Sequence, residues 1–402
     1  MWKGTKTMKN RCYLDVHVLQ TVPPSCVNRD DTGSPKTAIY GGTTRARVSS
    51  QAWKHAMREM FRDELIDPDM LGARTKNALS LVEKEILKLN HDAKKAKELA
   101  KKMLDEYGGV DTNDDDQTQA LFFIGMKQAK ELAEIAVSEG MTDNEKEKAC
   151  EEALQKHLSV DVALFGRMVA IKKSNKKREK KQKELNCDAS AQVAHSISTH
   201  TVQNEYDYFT AVDDLAPEDN TGAGHIGTVE FNSSTLYRYA TVNLVELSNA
   251  LGKQVAAETA AKFVEAFVRS MPTGKQNTFA NRTLPSMVYV TIRRDQPVNL
   301  CGAFEKPVSA KNGGYSEEAE EKFVEYANPV SAKNGGYSEE SEVEFVKYAK
   351  KVYDKYASAP DRAFAVGEAV GNLEKCKCMS LDRLLESVAE CVKEYLGESE
   401  GM

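Results

Sequence analysis

Residues 75–158 are rich in Ala, Lys, Glu and Leu and repeat with helical periodicity, while the segments on either side alternate with a period of two. This switch constrains the fold more than any other feature: the chain reads as a β-containing domain interrupted by a helical insertion. CYLDVHVL (12–19) places Cys12, Leu14, Val16 and Val18 on one side, which predicts a half-buried strand. A helix follows from about 50 to 63. Breaks at GGVDTNDDDQ and SEGMTDNE divide the insertion into three to five helices. Residues 189–201 then read as helical. YFTAV (208–212) and TVEF (228–231) read as strands flanking a glycine-bearing loop, and LYRYATVNL (236–244) as a long alternating strand. A helix from about 246 to 270, the strand MVYVTI (287–292) and a helix near 380–397 complete the pattern. Without the insertion the order is strand–helix–strands–helix–strand, an α+β arrangement that predicts a ferredoxin-like sheet with helices on one face.

PVSAKNGGYSEEAEEKFVEYA (307–327) recurs as PVSAKNGGYSEESEVEFVKYA (329–349), identical at 17 of 21 positions with a period of 22. Two copies are too few for a solenoid. The unit reads as a tandem duplication of a loop and helix, of which one copy need pack on the core.

At 402 residues the chain is long enough for two or three domains. No run of eighteen apolar residues predicts a membrane span, and Asp15 and His17 interrupt the first apolar stretch, unlike a signal peptide. Eight scattered cysteines include no C-x-x-C pair, so free thiols in a reducing cytoplasm are expected. The net charge of −6 conceals a strong asymmetry: KKSNKKREKKQK (172–183) holds eight basic residues and one acidic residue, +7, leaving −13 for the remainder. So polar a run predicts a basic loop, either a solubilising insert or a contact for nucleic acid.

The densest functional signal is NRDDTGSPKTAIYGGTTRARVSSQAWKHAMR (28–58). Gly41 and Gly42 permit a tight turn or close approach to a ligand. Arg45 and Arg47 point to the same side of an extended segment. Ser49 or Ser50 caps the next helix, whose free N–H groups attract anions. On that helix Gln51, Lys54 and Arg58 share one face, while Trp53, Met57 and Met60 face the core. Together these make a basic ledge suited to a polyanion. Other motifs carry less. GAGHIG (222–227) leads into a strand rather than a helix, unlike a dinucleotide site. TGKQ (273–276) lacks the rest of a phosphate loop, though Lys275 is a candidate phosphate ligand. His195 and His200 are five apart, a poor spacing for a metal pair. The acid pairs Asp30–Asp31 and Asp213–Asp214 read first as turn formers, and second as a divalent-ion site for phosphodiester cleavage.

In these motifs, together with VDVALFGRM (160–168), AQVAHSISTH (191–200), DYFTAVDDL (207–215), HIGTVEFNSSTLYRYATVNL (225–244), PTGKQNTFA (272–280) and AFEKPV (303–308), the chain resembles the CasC-type backbone subunit of the type I-E CRISPR Cascade complex, of the RAMP superfamily. The resemblance implies a hand-like shape. An RRM-like palm would comprise 9–65, 189–207 and 236–304, with a helical fingers insertion (66–171), a basic loop (172–188), a β-hairpin thumb (208–235) and a C-terminal region (305–402). It implies a non-catalytic, cytoplasmic protein without metal or cofactor that assembles head to tail along a CRISPR guide RNA. Bases would be displaced at regular intervals and the guide presented to target DNA. Its partners would be further copies of itself and the small, large, guide-processing and end-capping Cascade subunits, with no membrane. Asn28, Arg29, Lys36, Gly42, Ser49, Gln51, Lys54, Arg58, Lys275, Gln276 and Asn277 would hold the guide, joined on geometric grounds by Arg45 and Arg47. Gly166, Arg167 and Met168 form the GRM motif, whose methionine would wedge against bases. Phe209 and Thr210 would pack against the displaced nucleotide. The alternative is a metal-dependent RNA endonuclease of the same superfamily using the loop aspartates.

Overall fold

Strand β1 (Tyr13–Ser25) runs through the centre of the protein and is covered on both faces. The computed structural model describes residues 11–89, 92–113, 115–169, 176–211, 225–309 and 336–398. Leu14, Val16 and Val18 enter one core, while Asp15, His17 and Leu19 are buried on the opposite side. The expectation of a half-buried strand is thus corrected: Asp15 and His17 look solvent-facing in sequence but have buried polar partners.

The next elements are β2 (Thr37–Tyr40), β3 (Thr43–Val48) and α1 (Ser50–Met60). The insertion contains β4 (Gly72–Thr75), α2 (Ala78–Lys88), α3 (Ala93–Lys101), β5 (Phe122–Gly125), α4 (Met126–Val137) and α5 (Asp143–Gln155). Its own core includes Val82, Ile86, Leu104, Ile124, Leu132 and Leu154. Helix α6 (Val160–Phe165) returns the chain to the sheet, and α7 (Lys176–Glu184) follows.

That helix corrects the reading of a basic loop. Lys181 is buried, its ammonium donating to Tyr107 O at 2.9 Å and pairing with Glu147 and Glu151. Arg178 pairs with Asp105 and Asp111, both at 2.6 Å. The acidic insertion supplies the partners for this basic helix, so the described part of the lysine run, 176–183, braces the helical lobe.

Residues 189–201 form two short strands instead of the expected helix, β6 (Ala191–Val193) and β7 (Ser196–Ser198). Their Val, Ile, Ser and Thr content suits a pleated surface better than a helix. Next come β8 (Glu205–Ala211) and the nineteen-residue β9 (His225–Asn243). The helix expected over 246–270 is two, α8 (Leu244–Leu251) and α9 (Lys253–Arg269), divided at Gly252 with φ 79°. After α10 (Gln276–Phe279) and β10 (Met287–Arg293), the described chain resumes with α11 (Tyr337–Lys355), β11 (Arg362–Val366), β12 (Cys376–Cys378) and α12 (Leu381–Glu398).

Among the described residues, the main sheet has ten strands on the path β12-β11-β10-β1-β9-β7-β3-β2, with β6 and β8 also pairing with β9. Val16 lies between Ala240 and Val290 in antiparallel register. Among the described residues, only β11 and β12 run parallel. One face packs on α1, α6, α8, α9 and α12. Against the expectation of helices on one face, the other is covered by α11 and the turn at Cys301–Phe304. This second layer comes from the duplicated unit: the second copy supplies α11, while residues 310–327 of the first lie outside the described residues. Asp213, Asp214, Gly222 and Gly224 also lie outside them. All eight cysteines are free thiols, and no described helix is long and apolar enough to cross a membrane.

Candidate nucleic-acid interface

Helix α1 carries the ledge. Ser49 is its N-cap, the hydroxyl accepting from Ala52 N at 3.3 Å, and the Ser49 N–H donates to Asn28 Oδ1 at 2.9 Å. Trp53, Ala56, Met57 and Met60 are buried, which turns Gln51, Lys54 and Arg58 outward. These three line a cleft of about 820 Å³ whose other wall contains Phe165, Gly166, Arg167, Met168 and Asn186. The ledge and the GRM motif, more than a hundred residues apart in sequence, therefore form one site.

The two cations in this cleft differ. Lys54 lies 5.9 Å from the Phe165 ring, has no ion pair among the described residues, and has its pKa lowered by burial. Its charge is available to a ligand. Arg58 is paired with Asp161 at 3.3 Å and stacked over Phe123 at 4.6 Å. Asp161 also accepts from Gly72 N, and burial raises its pKa. Arg58 thus both faces the cleft and supports the fold.

The GRM motif has an anchor and a projection. Arg167 is buried, and its guanidinium donates to Leu185 O at 2.8 Å, Leu154 O at 2.7 Å and Phe123 O at 3.3 Å. Burial lowers its pKa to about 10. Two backbone hydrogen bonds join Arg167 to Cys187, and Gly166 (φ 79°) has no room for a Cβ beside Cys187 O. Held this way, Met168 is 88% exposed at the cleft edge. The expectation that Arg167 touches RNA is corrected, because the side chain is buried and its Nε, Nη1 and Nη2 each donate to a main-chain carbonyl.

Arg45 is corrected on the same ground. It is fully buried, donating to Ser198 O at 2.9 Å, Phe304 O at 3.0 Å and Glu305 O at 3.3 Å. The two arginines of β3 do point to one side, but the turn at 301–305 covers only the first. Arg47 remains half-buried, with Nη1 3.2 Å from His195 Nδ1. Gly41 and Gly42 form the two-residue turn between β2 and β3, with φ of 61° and 77°. Gly41 closely approaches the Glu305 backbone rather than a ligand, while Gly42 is open.

A second basic area lies on the far side of α1. Lys36, Arg47 and Asn28 line one small depression. Arg29 lines a cleft of about 610 Å³ closed by Pro272–Gly274; its charge is mixed, because Asp30, Asp31 and Glu59 line it too. Gly274 packs directly on Val27 O, which brings Lys275 (φ 52°) beside that loop, with Gln276 and Asn277 exposed on α10. His195 belongs here too: burial and the charges of Arg47 and Lys36 lower its pKa. Sequence reasoning considered it only as a metal ligand. It also missed Arg74, exposed on β4 and lining the Met168 cleft. The segment ARTK (73–76), which begins in β4, offered a signal, since it holds basic residues at alternate positions.

Asp30 is the turn former anticipated, accepting from Thr32 N, Thr32 Oγ1 and Ser34 N at 2.7–3.0 Å. Strand β8, paired with the first half of β9, is exposed over 205–210, with Phe209 lying across Gly227 and Thr210 beside it. Tyr206 and Tyr208 are 67% and 64% exposed on the same strand. At the base of the hairpin, Phe231 meets Phe279 of α10 at 5.8 Å.

The family model described as CT1975-like protein (Cas_CT1975) matches residues 14–328, and the chain belongs to that family. No curated protein matches it. A solved chain titled "CRISPR RNA-guided surveillance complex, pre-nicking" is 28% identical, with a TM-score of 0.69 over 94% of this chain and 100% of that one. Another, titled "CRISPR RNA-guided surveillance complex", is 23% identical and shares the fold, with a TM-score of 0.63 over 94% and 99% of the two chains.

Proposed function

We propose that this member of the CT1975-like family is a non-catalytic backbone subunit of a type I-E CRISPR surveillance complex. Copies stack head to tail along a guide RNA, displace bases at intervals and leave the segments between open to target DNA. The observation that carries this reading is the exposed Met168, anchored through Arg167, lining one cleft with a Lys54 that has no ion pair among the described residues. A thioether at a cleft edge offers a base an apolar surface, and Lys54 offers the backbone a charge; neither reads sequence. A guide must be held in that way if pairing is to do the reading.

The fold supports the same assignment. The strand order β10-β1-β9-β7, with α1 and α9 on one face, suits an RRM-like palm. The insertion supplies fingers. The hairpin supplies a thumb whose second strand continues without interruption into the sheet. The complement of other Cascade subunits and a cytoplasmic setting follow from this proposal. The nuclease alternative gains no support at Asp30, whose Oδ1 accepts all three bonds of its own turn, as a turn former does. The test is incubation of the purified protein with RNA and magnesium or manganese. Binding without cleavage is expected, whereas cleavage abolished by Asp30→Ala would establish the nuclease.

A further inference from the structure

The second copy of the 22-residue duplication covers one face of the sheet. Phe345 of α11 is fully buried there, its ring 5.4 Å from His17 and 5.8 Å from Tyr289. Tyr337 stacks on His200 at 3.6 Å, and Glu342 accepts from Val370 N at 2.9 Å. Val346 and Ala349 complete the buried stripe.

The first copy carries the same residue types at the same spacing: Tyr315, Glu320, Phe323, Val324 and Ala327. Of the four differences between copies, three fall at positions 343, 344 and 347, on the outward side of α11. Glu344 and Lys347, an ion pair at 3.3 Å, correspond to Lys322 and Glu325, the same pair with its charges exchanged. Only Ala319, in place of Ser341, falls on the groove side, where it would lose the hydroxyl bond to Thr199 at 2.8 Å. Divergence between the copies has left the groove-facing set nearly intact.

The first copy is also within reach. Val308 N donates to Thr199 O at 3.0 Å, next to the His200 on which Tyr337 stacks. Tyr315 lies seven positions after Val308, as Tyr337 lies seven after Val330. Such a span extends up to about 25 Å.

We propose that this groove is a docking site for two alternative segments of the same chain, 337–349 as the resident and 315–327 as its substitute. The resident is favoured because α11 runs on to Lys355 and sets Tyr353 against Arg293 at 5.4 Å. In the substitute, Asn328–Pro329 ends the helix early. Slippage by one period would keep the sheet covered while moving 22 residues to the connection before β11.

Thermal unfolding of four purified proteins tests this. They are the full chain and a variant lacking residues 310–331, each with and without Phe345→Asp. The deletion joins Ser309 to Ala332 and restores a single copy, so it should fold with a near-parental Tm. Phe345→Asp should lower Tm at least twofold less in the full chain than in the deletion variant. Adding Phe323→Asp to the full chain should abolish that protection, and the milder Phe345→Ala should show the same order. Equal losses in both backgrounds would overturn the proposal, as would failure of the unsubstituted deletion variant to fold. Concentration-dependent association of the full-length Phe345→Asp protein would also overturn it, in favour of docking on a second copy.

Discussion

Lys54 and Arg58 look equivalent in sequence, four apart on one helical face, yet the structure separates their roles. Lys54→Ala should weaken RNA binding alike for all sequences and make the salt dependence shallower, by about 0.7 in log–log slope for each phosphate no longer neutralised. An unchanged slope would contradict the assignment. Arg58→Ala should do the same and in addition destabilise the fold by roughly 1–3 kcal/mol, because it leaves buried Asp161 without its cation. A denaturant titration distinguishes the two. Met168→Ala should leave both stability and salt slope unchanged, since the side chain is exposed, yet alter the chemical-probing pattern on bound guide. Arg45→Ala should show the opposite profile, a stability loss on the order of 3 kcal/mol from the carbonyls left unsatisfied.

Individual elements show where the sequence was legible. The core face of α1, the N-cap at Ser49 and the helical insertion follow from periodicity and capping chemistry, which are local. Arg45, Arg167 and Lys181 were misread because burial is decided by distant segments: the turn at 301–305, the segment at 185–187 and the acidic face of the insertion. A basic residue in a basic motif has no local mark of whether it meets a ligand or a buried carbonyl. The burial of β1 on both faces was hidden for the same reason, and it has a pH signature. Burial and the Arg293 charge hold His17 at a pKa of about 3, below its ordinary 6.5. Its contribution to stability is full above pH 6.5 and falls as the pH drops towards 3. Burial pushes Asp15 up to about 6 from 3.8, so its contribution is full below 3.8 and is lost as the pH rises through 6. Between about pH 6 and 4 the two oppose each other. Asp15→Asn removes one of them, so on acidification through that window the variant should lose about 1.4 kcal/mol per pH unit relative to the parent. Parallel pH profiles would contradict this account. On the thumb, Gly227→Val should push the Phe209 ring aside and disturb base displacement without changing the salt slope.

At the scale of the whole molecule, the proposed function requires the parts joined by the sheet to act on one strand of RNA. The helical insertion rests on its own core, and Met168 and the Lys54 of α1 line the same cleft. The outer half of β9, the proposed thumb, runs without a break into the sheet. A head-to-tail contact that does not close generates an open filament, which a linear guide can template. The most direct test of the central claim is co-expression with a CRISPR array and the partner subunits, followed by sizing of the particle and sequencing of the RNA that co-purifies. The account predicts discrete repeat-derived guides in a large particle. Heterogeneous cellular RNA on a small species, or no RNA at all, would contradict it.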